Sequence, residues 1–186
     1  MRLAISGTHC SGKSSLVEAF LLAHPEFTHE PEAYFQLQEL HGESFSAEPS
    51  SDDFLQQLEY HSERLQQYQP SGHVVFERCA IDYVAYLQAL IDLKRHSADV
   101  VILSQSVDLA RVALQHLDFV IFLSAHGAYI DVPDEEDLEL RAAVDTNLER
   151  FLLNDELDLL ADGRPIVLEV CDTIEQRLEV IEMALL

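Results

Sequence analysis

Residues 6–15, SGTHCSGKSS, constrain the fold of this chain more than any other stretch. A short apolar run, RLAIS at 2–6, precedes them, and a stretch with apolar residues at helical spacing follows. Two glycines, Gly7 and Gly12, let the backbone curl so that successive N–H groups point inwards. The sequence therefore predicts a buried strand, a tight loop and a helix, with a hollow lined by amides at the helix N-terminus.

The spacing inside this loop matches a pattern that binds phosphate groups. The pattern is glycine, four residues, glycine, lysine and serine or threonine, and residues 7–14 read GTHCSGKS. The helix N-terminus adds partial positive charge, Lys13 would reach the outer phosphates, and Ser14 would hold magnesium. The alternative is a glycine turn that only begins a helix. The predicted nucleotide-binding residues are Gly7, Thr8, His9, Cys10, Ser11, Gly12, Lys13, Ser14 and Ser15.

The charge of the chain excludes several kinds of partner. It carries 34 acidic and 11 basic residues, which gives a formal net charge of −23. Such a surface does not neutralise the phosphates of nucleic acid or of anionic lipids, so we expect neither as a partner. A small anion in a local hollow remains compatible with it, because distant charges are screened within about 10 Å.

The cysteines and apolar runs predict the setting of the protein. Cys10, Cys79 and Cys171 are scattered and form no CxxC pair, so we expect free thiols and a cytoplasmic location. We expect neither a signal peptide nor a membrane span, because no apolar run is long enough. The histidine spacings do not favour a structural zinc site. Residues 1–186 are expected to form one domain, and a homodimer is left open.

Five short apolar runs indicate the fold class. They are residues 2–6, 26–30, 73–77, 119–123 and 165–170, and their lengths suit strands that are buried on both faces. Stretches with helical periodicity separate them, as in a parallel sheet that is covered by helices on both sides. We predict an α/β fold of three layers, with a five-stranded parallel sheet flanked by helices.

Other stretches complete this outline. Residues 42–53 are rich in glycine, proline and serine, which predicts a loop that ends in a helix cap at Ser51 or Asp52. Residues 93–118 fit one long helix or a turn and a helix, and we favour one helix. Residues 134–154 predict an amphipathic helix, and Thr173 with Gln176 predicts a capping box at the start of the last helix.

Three segments together resemble a known family. The loop at 7–14, HEPEAY at 29–34 and VVFERCAIDYVAYL at 74–87 are similar to the small P-loop nucleoside and nucleotide kinases. The likeness is greatest to ATPase-like domains related to the ribosylnicotinamide kinase part of bacterial NAD regulators, and deoxynucleoside kinases are more distant. The resemblance spans nearly the whole chain. It implies a P-loop NTPase fold and Mg²⁺-dependent phosphoryl transfer from ATP to a small acceptor, with a nucleoside or nucleotide favoured.

The resemblance also implies roles outside the loop. Glu77 would orient Mg²⁺, and Arg78 would contact the acceptor or the transferring phosphate, with an ion pair to Asp82 as the structural alternative. Glu30 would accept the proton of the attacking hydroxyl, with Glu32 as its rival and a solvated carboxylate as the plain alternative. The predicted substrate residues are Glu30, Tyr34, Phe35, Arg78 and Asp82.

A lid at about 126–155 is implied by the same resemblance. Arg141 is favoured over Arg150 as its phosphate contact, because nine residues place the two on opposite sides of a helix. The alternative for Arg141 is pairing with Asp137 and Asp145 at four-residue spacing.

Two features of the C-terminal half bear on the function. The approach to the lid, YIDVPDEEDLE at 129–139, contains six acids and no base, where the related kinases carry a further arginine. This favours a second hypothesis, a slow NTPase or nucleotide-dependent switch that acts on a protein partner. Asp172, after the fifth strand, is predicted to lie at the adenine, although helix capping explains the same residue.

Overall fold

The computed structural model of the chain describes residues 1–41, 49–69, 71–124, 133, 136–160 and 163–185. Strands and helices alternate along this part of the chain, as the sequence predicts. The strands are β1 (Arg2–Ser6), β2 (Thr28–Glu30), β3 (Val74–Glu77), β4 (Phe119–Leu123) and β5 (Ile166–Val170). The helices are α1 (Lys13–Ala23), α2 (Ala33–His41), α3 (Ser51–Gln67), α4 (Ala80–Asp92), α5 (Val100–Leu114), α6 (Leu138–Leu152) and α7 (Ile174–Leu185).

The five strands form one parallel sheet in the order β2-β3-β1-β4-β5. Strand β1 lies in the middle, and Leu3 pairs with Val75 on one side and Phe119 on the other. The chain moves first to one side of β1 and then to the other. Ligands of open parallel sheets bind where the strand order switches in this way, at the carboxyl ends of the strands. The loop that follows β1 lies at this position.

Side chains of β1 alternate between two cores. Leu3 and Ile5 pack in a cluster with α1 and α7, whereas Ala4 belongs to the larger cluster of α3 to α6. Helix α4 is apolar on nearly all sides, because it packs against α3, α5 and α6 as well as the sheet. The predicted α/β class with a five-stranded parallel sheet flanked by helices is thus confirmed.

The favoured single helix over 93–118 is wrong, and the alternative of a turn followed by a helix is found. Helix α4 ends at Asp92, and Lys94 adopts a left-handed φ of 53° that no α-helix continues. Asp99 then begins α5, since its carboxylate accepts hydrogen bonds from the backbone N–H groups of Val101 and Ile102.

Capping side chains also set the residues at which α3 and α6 begin. Ser50 and Asp53 form a capping box that begins α3, so the cap is Ser50 and not the predicted Ser51 or Asp52, and the predicted loop at 42–53 ends earlier than expected. Asp137 caps α6 by accepting from the N–H of Leu140, which shortens the helix predicted at 134–154. Residues 42–48 of that loop, and 126–132 and 134–135 of the predicted lid, lie outside the described residues.

Three smaller expectations can be compared with the structure. Thr173 and Gln176 exchange hydrogen bonds at the start of α7, which confirms the predicted capping box. Cys10, Cys79 and Cys171 are free thiols. Among the described residues, no helix is both long and apolar enough to cross a membrane.

Replacing Leu87, which is fully buried in α4, should test the central position of this helix. We expect Leu87→Ala to lower the free energy of unfolding by about 2–5 kcal/mol, because it removes buried methyl groups and leaves a cavity. Urea unfolding measures the change. The matched control is Leu22→Ala, whose side chain is 81% exposed and which should stay within about 0.5 kcal/mol of the parent. Equal effects of the two changes would contradict this packing.

Candidate active site

The loop between β1 and α1 has the geometry that its two glycines predict. Gly12 precedes α1 with a φ of 89°, in the left-handed region that favours glycine. A Cβ on Gly7 would lie 3.0 Å from the carbonyl oxygen of Leu123, so a side chain there would push against β4. Because Gly12 offers no side chain to cap the helix, the first N–H groups of α1 remain available to an anion.

Lys13 lies under this loop with its side chain buried. Its Nζ donates a hydrogen bond to the carbonyl oxygen of Thr8 at 2.9 Å. Burial, together with the positive charge of Arg78, lowers the pKa of Lys13 to about 8. A phosphate oxygen in the loop would supply the negative charge that this ammonium lacks.

The other residues of the loop differ in how deeply they are buried. Thr8 and Ser11 are almost fully buried. His9 and Ser15 are exposed, and Cys10 is half-buried with a left-handed φ of 53°.

Ser14 and Glu77 meet, as the family resemblance implies. The Ser14 hydroxyl donates to the carboxylate of Glu77 at 2.6 Å, and Nε2 of His29 lies 3.5 Å from the other carboxylate oxygen. Burial alone would raise the pKa of Glu77. The contact with His29, the hydrogen bond from Ser14 and the charge of Lys13 outweigh burial, so the pKa of Glu77 is lowered and the carboxylate stays ionised. A hydroxyl and a carboxylate at one point form a donor set that suits Mg²⁺.

Arg78 lies at the centre of the site, 4% exposed, with a left-handed φ of 81°. Its Nε donates to Glu32 at 2.5 Å, and its Nη1 donates to the carbonyl oxygen of Gly7 at 3.4 Å. Burial alone would lower the pKa of Arg78, but the charge of Glu32 and other neighbours raises it. The alternative pairing with Asp82 also exists, at 3.8 Å, as a longer contact.

Asp82, which the sequence assigns to the substrate, lies behind Arg78 and is fully buried. It accepts a hydrogen bond from the hydroxyl of Ser6. Burial raises the pKa of Asp82 to about 6, although Arg78 and Ser6 oppose this change. Asp82 is not among the described residues that line the adjoining cavity, so its contacts are those of a support for Arg78.

A cavity of about 500 Å³ opens beside Arg78. Its volume is in the usual range of small-molecule sites. Tyr86 stacks on Phe54 with a centroid distance of 4.7 Å, and Tyr34 contacts Phe35 edge-on. The cavity lining consists of His9, Glu32, Tyr34, Phe35, Pro49, Phe54, Gln57, Arg78, Tyr83, Tyr86, Glu136, Asp137 and Leu140. Aromatic walls with a few charged and amide groups can hold a flat ring that carries polar substituents.

The two candidate bases have different surroundings. Glu32 lines the cavity and contacts Arg78, whereas Glu30 is not among the described lining residues. Arg64 binds both oxygens of Glu30, at 2.7 and 2.8 Å. Tyr68 and Gln36 donate further hydrogen bonds to the same carboxylate. Burial would raise the pKa of Glu30, but Arg64 and Tyr68 outweigh it and lower the pKa. These contacts argue against Glu30 as the base.

Arg141, on α6, contacts the phosphate loop, which is the loop of residues 7–14 between β1 and α1. Its Nε donates to the carbonyl oxygen of His9 at 3.0 Å, and its own carbonyl accepts from the hydroxyl of Thr8 at 3.1 Å. Asp137, one of the two alternative partners of Arg141, caps α6 and pairs with Arg95. Arg150 pairs with Glu156 at the other end of the helix.

Asp172 lies at the carboxyl end of β5, exposed and with a left-handed φ of 67°. The residue that sequence reasoning missed here is Arg177, on α7. Its buried side chain donates to the carbonyl oxygen of Ser11 at 3.3 Å, across 166 residues of sequence. Burial lowers the pKa of Arg177, which the charges of Cys171 and Asp172 oppose. No sequence pattern links positions so far apart.

Comparisons with known proteins identify a family and a shared fold. The profile of a family described as AAA domain matches residues 2–160. No curated protein sequence matches the chain.

Similar solved structures include deoxyadenosine kinase from M. mycoides with the products dCMP and a flexible dCDP bound. Its TM-score is 0.67 at 20% identity, over 100% of this chain and 98% of that one. NadR protein in complex with NR gives 0.69 at 15%, over 98% of this chain and 50% of that one. Thymidylate kinase from Candida albicans gives 0.61 at 19%, over 98% and 89%. At these identities the likeness demonstrates a shared fold.

The Glu30–Arg64 contact should be visible in acid stability. Because its pKa is lowered on folding, Glu30 stabilises the protein above the unfolded glutamate pKa of about 4.3, and this contribution is lost as pH falls through the folded pKa. We expect Glu30→Gln to cost about 2 kcal/mol at pH 7 and progressively less in acid. Urea unfolding between pH 7 and pH 3 measures this. Glu59→Gln, an exposed change on α3, is the control, and an equal pH profile for both variants would refute the assignment.

Proposed function

The chain belongs to the AAA domain family and has the fold of P-loop nucleoside and nucleotide kinases, and from this premise we propose that it is an ATP-dependent kinase of a nucleoside or nucleotide. One observation carries the proposal. Arg78 contacts the phosphate loop at Gly7 and also lines the adjoining cavity, so one cation borders both a phosphate site and an acceptor-sized space. Phosphoryl transfer needs this adjacency, because donor and acceptor must be aligned.

The donor side uses the loop. ATP would lie with its phosphates against the N-terminus of α1, where Lys13 neutralises the outer phosphates. The Ser14 hydroxyl and the Glu77 carboxylate, 2.6 Å apart, would hold Mg²⁺ directly or through its waters. The metal would supply charge neutralisation at the phosphates. Asp172 is proposed to lie near the adenine, and Arg177 keeps the Ser11 backbone in place.

The acceptor side uses the cavity. Tyr34 and Phe35 would hold a flat ring, and Glu32 would take the proton from the attacking hydroxyl. The new oxygen–phosphorus bond forms as the bond between the γ-phosphorus and the bridging oxygen breaks, and ADP leaves with that electron pair. Arg78 would stabilise the charge on the phosphoryl group in flight, and Arg141 would assist from α6. We therefore prefer Glu32 to Glu30 as the base, because Glu32 lines the cavity and its contact with Arg78 is through one oxygen, Oε1, whereas Arg64 engages both oxygens of Glu30.

A second candidate is a slow NTPase or nucleotide switch with a protein partner. The contact of Arg141 with the His9 carbonyl favours it, because this guanidinium already has a backbone partner in the loop. The acidic approach at 129–139 favours it as well, since a negative field can steer a basic partner. A lid function for 126–155, a cytoplasmic location and a homodimer stay predictions.

Lys13→Ala should abolish the protection that ATP gives against thermal unfolding. At an ATP concentration of 100 times the Kd, binding stabilises the native state by about 2.7 kcal/mol, and removal of the ammonium should eliminate most of this. A thermal-shift titration with Mg²⁺-ATP measures it. The matched control is Lys94→Ala, which removes the only other lysine, an exposed one, and should keep the protection. Retained protection in Lys13→Ala would refute the phosphate site.

The kinase proposal itself is tested by ADP formation with a panel of nucleosides and nucleotides. We expect at least one acceptor to raise turnover above the rate with water alone, and Glu32→Gln to lower kcat by about 10²–10⁴-fold. Glu30→Gln serves as the matched control and should retain kcat within a few-fold at a temperature where it is folded. The reverse ranking would return the base role to Glu30. If no acceptor raises turnover, the kinase proposal fails and the switch remains.

A further inference from the structure

Three side chains that can bind a metal meet at the mouth of the phosphate loop. His9 and Cys10 belong to the loop, and Glu136 lies before α6, 127 residues after His9. Their ligand atoms all lie within 4.8 Å of one another. Nδ1 of His9 is 2.5 Å from a carboxylate oxygen of Glu136 and 3.7 Å from Sγ of Cys10. In the described part of the chain, this is the only such group of three.

We propose that His9, Cys10 and Glu136 form a binding site for a divalent ion of the zinc class. Imidazole, thiolate and carboxylate are the ligands that Zn²⁺ takes, at about 2.0–2.3 Å, so neighbouring ligand atoms lie about 3.4–3.6 Å apart in a tetrahedron. The separation of His9 from Cys10 already fits. The contact of His9 with Glu136 would open by about 1 Å so that both ligand atoms can reach the ion.

The chemistry of these ligand atoms distinguishes this site from the magnesium site proposed at Ser14 and Glu77. Ser14 and Glu77 offer oxygen alone, which suits Mg²⁺, whereas His9 and Cys10 offer nitrogen and sulfur, which suit softer ions. Three protein ligands leave a fourth position open to water, as in zinc sites that exchange a ligand. The exposure of His9 keeps this position accessible to solvent.

The backbone holds the ligands in place independently of any ion. The left-handed φ of Cys10 sets the direction of its side chain. Two hydrogen bonds join α6 to the loop close to the site, from Arg141 to the His9 carbonyl and from Thr8 to the Arg141 carbonyl. These two hydrogen bonds therefore already hold the loop close to the segment that carries Glu136. Such preorganisation lowers the cost of assembling a metal site.

The site would also act on nucleotide exchange, a consequence that rests on the proposed function. An ion bound by His9, Cys10 and Glu136 ties the start of α6 to the phosphate loop. The nucleotide would bind to the same loop that the ion ties to this segment, so Zn²⁺ should slow its release. The expectation that the histidine spacings favour no zinc site is revised by this proposal, because its ligands come from segments that only the fold brings together.

The direct test is a Co²⁺ titration of the full chain, since Co²⁺ replaces Zn²⁺ and absorbs when a thiolate binds it. We expect one Co²⁺ per chain with a thiolate charge-transfer band, and loss of the band in Cys10→Ser. The matched control is Cys171→Ser, which changes an exposed free cysteine elsewhere and should keep the band. A band that survives Cys10→Ser, or one that disappears in Cys171→Ser, would overturn the proposal. Circular dichroism verifies that both variants are folded.

A second pair of variants tests the carboxylate without altering the loop. Zn²⁺ affinity, measured by competition with a chromogenic chelator, should fall more than about tenfold in Glu136→Gln, since loss of outer partners alone costs that much. Glu139→Gln, three residues on and largely exposed, should bind Zn²⁺ as the parent does. Equal affinity in parent and Glu136→Gln would refute the site.

The effect on exchange is measured as the release rate of a fluorescent ATP analogue. We expect Zn²⁺ to slow release from the parent and to leave release from Glu136→Gln unchanged. Equal slowing in both would refute the link to α6. If the analogue does not bind at all, the proposed function fails, whereas the Co²⁺ and Zn²⁺ titrations, which need no nucleotide, still decide the metal site.

Discussion

The buried ion pair of Arg78 with Glu32 organises the rest of the site. A guanidinium that is taken out of water must be paired and hydrogen-bonded, or its burial costs several kcal/mol. Glu32 accepts a hydrogen bond from Arg78 at 2.5 Å and so meets this need. Asp82, four residues after Arg78, adds a longer contact at 3.8 Å. The same side chain donates to the Gly7 carbonyl, so it couples the end of β3, the exit of β2 and the phosphate loop. Any change in its pairing would alter all three.

A similar arrangement explains how so acidic a chain offers a site to an anion. Its three most buried bases, Lys13, Arg78 and Arg177, each donate to a carbonyl of the phosphate loop. Their charges are concentrated under one loop, while most of the acids are distributed over the surface. Because surface charges are screened by salt and buried ones are not, local charge outweighs the net charge of −23. Net charge therefore describes which partners approach, and buried charge describes what the loop can hold.

The sequence predicted those parts of the site whose geometry is local. The turn at Gly7 and Gly12 and the position of Lys13 follow from a strand, a loop and a helix in succession. The meeting of Ser14 with Glu77, which are 63 residues apart, was implied only by the family resemblance. Local reasoning failed where two solutions have similar propensity. Residues 93–118 read as one helix because apolar residues continue through them, yet Lys94 and Asp99 divide the segment. Glu30 and Glu32 are two residues apart, and nothing in HEPEAY shows that Glu30 pairs with Arg64 away from the cavity while Glu32 pairs with Arg78 at its wall.

By itself the sequence determined the strand–loop–helix unit, the α/β class and the caps of several helices, because hydrogen bonds within a few residues fix these features. Tertiary structure alone decided which side chains of the site contact one another. Arg64 engages Glu30 across 34 residues, Arg177 reaches Ser11 across 166, and Glu136 meets His9 across 127. The physical reason is range: a side chain's pKa and contacts depend on groups within a few ångströms, and the sheet brings these groups together from positions that share no sequence spacing.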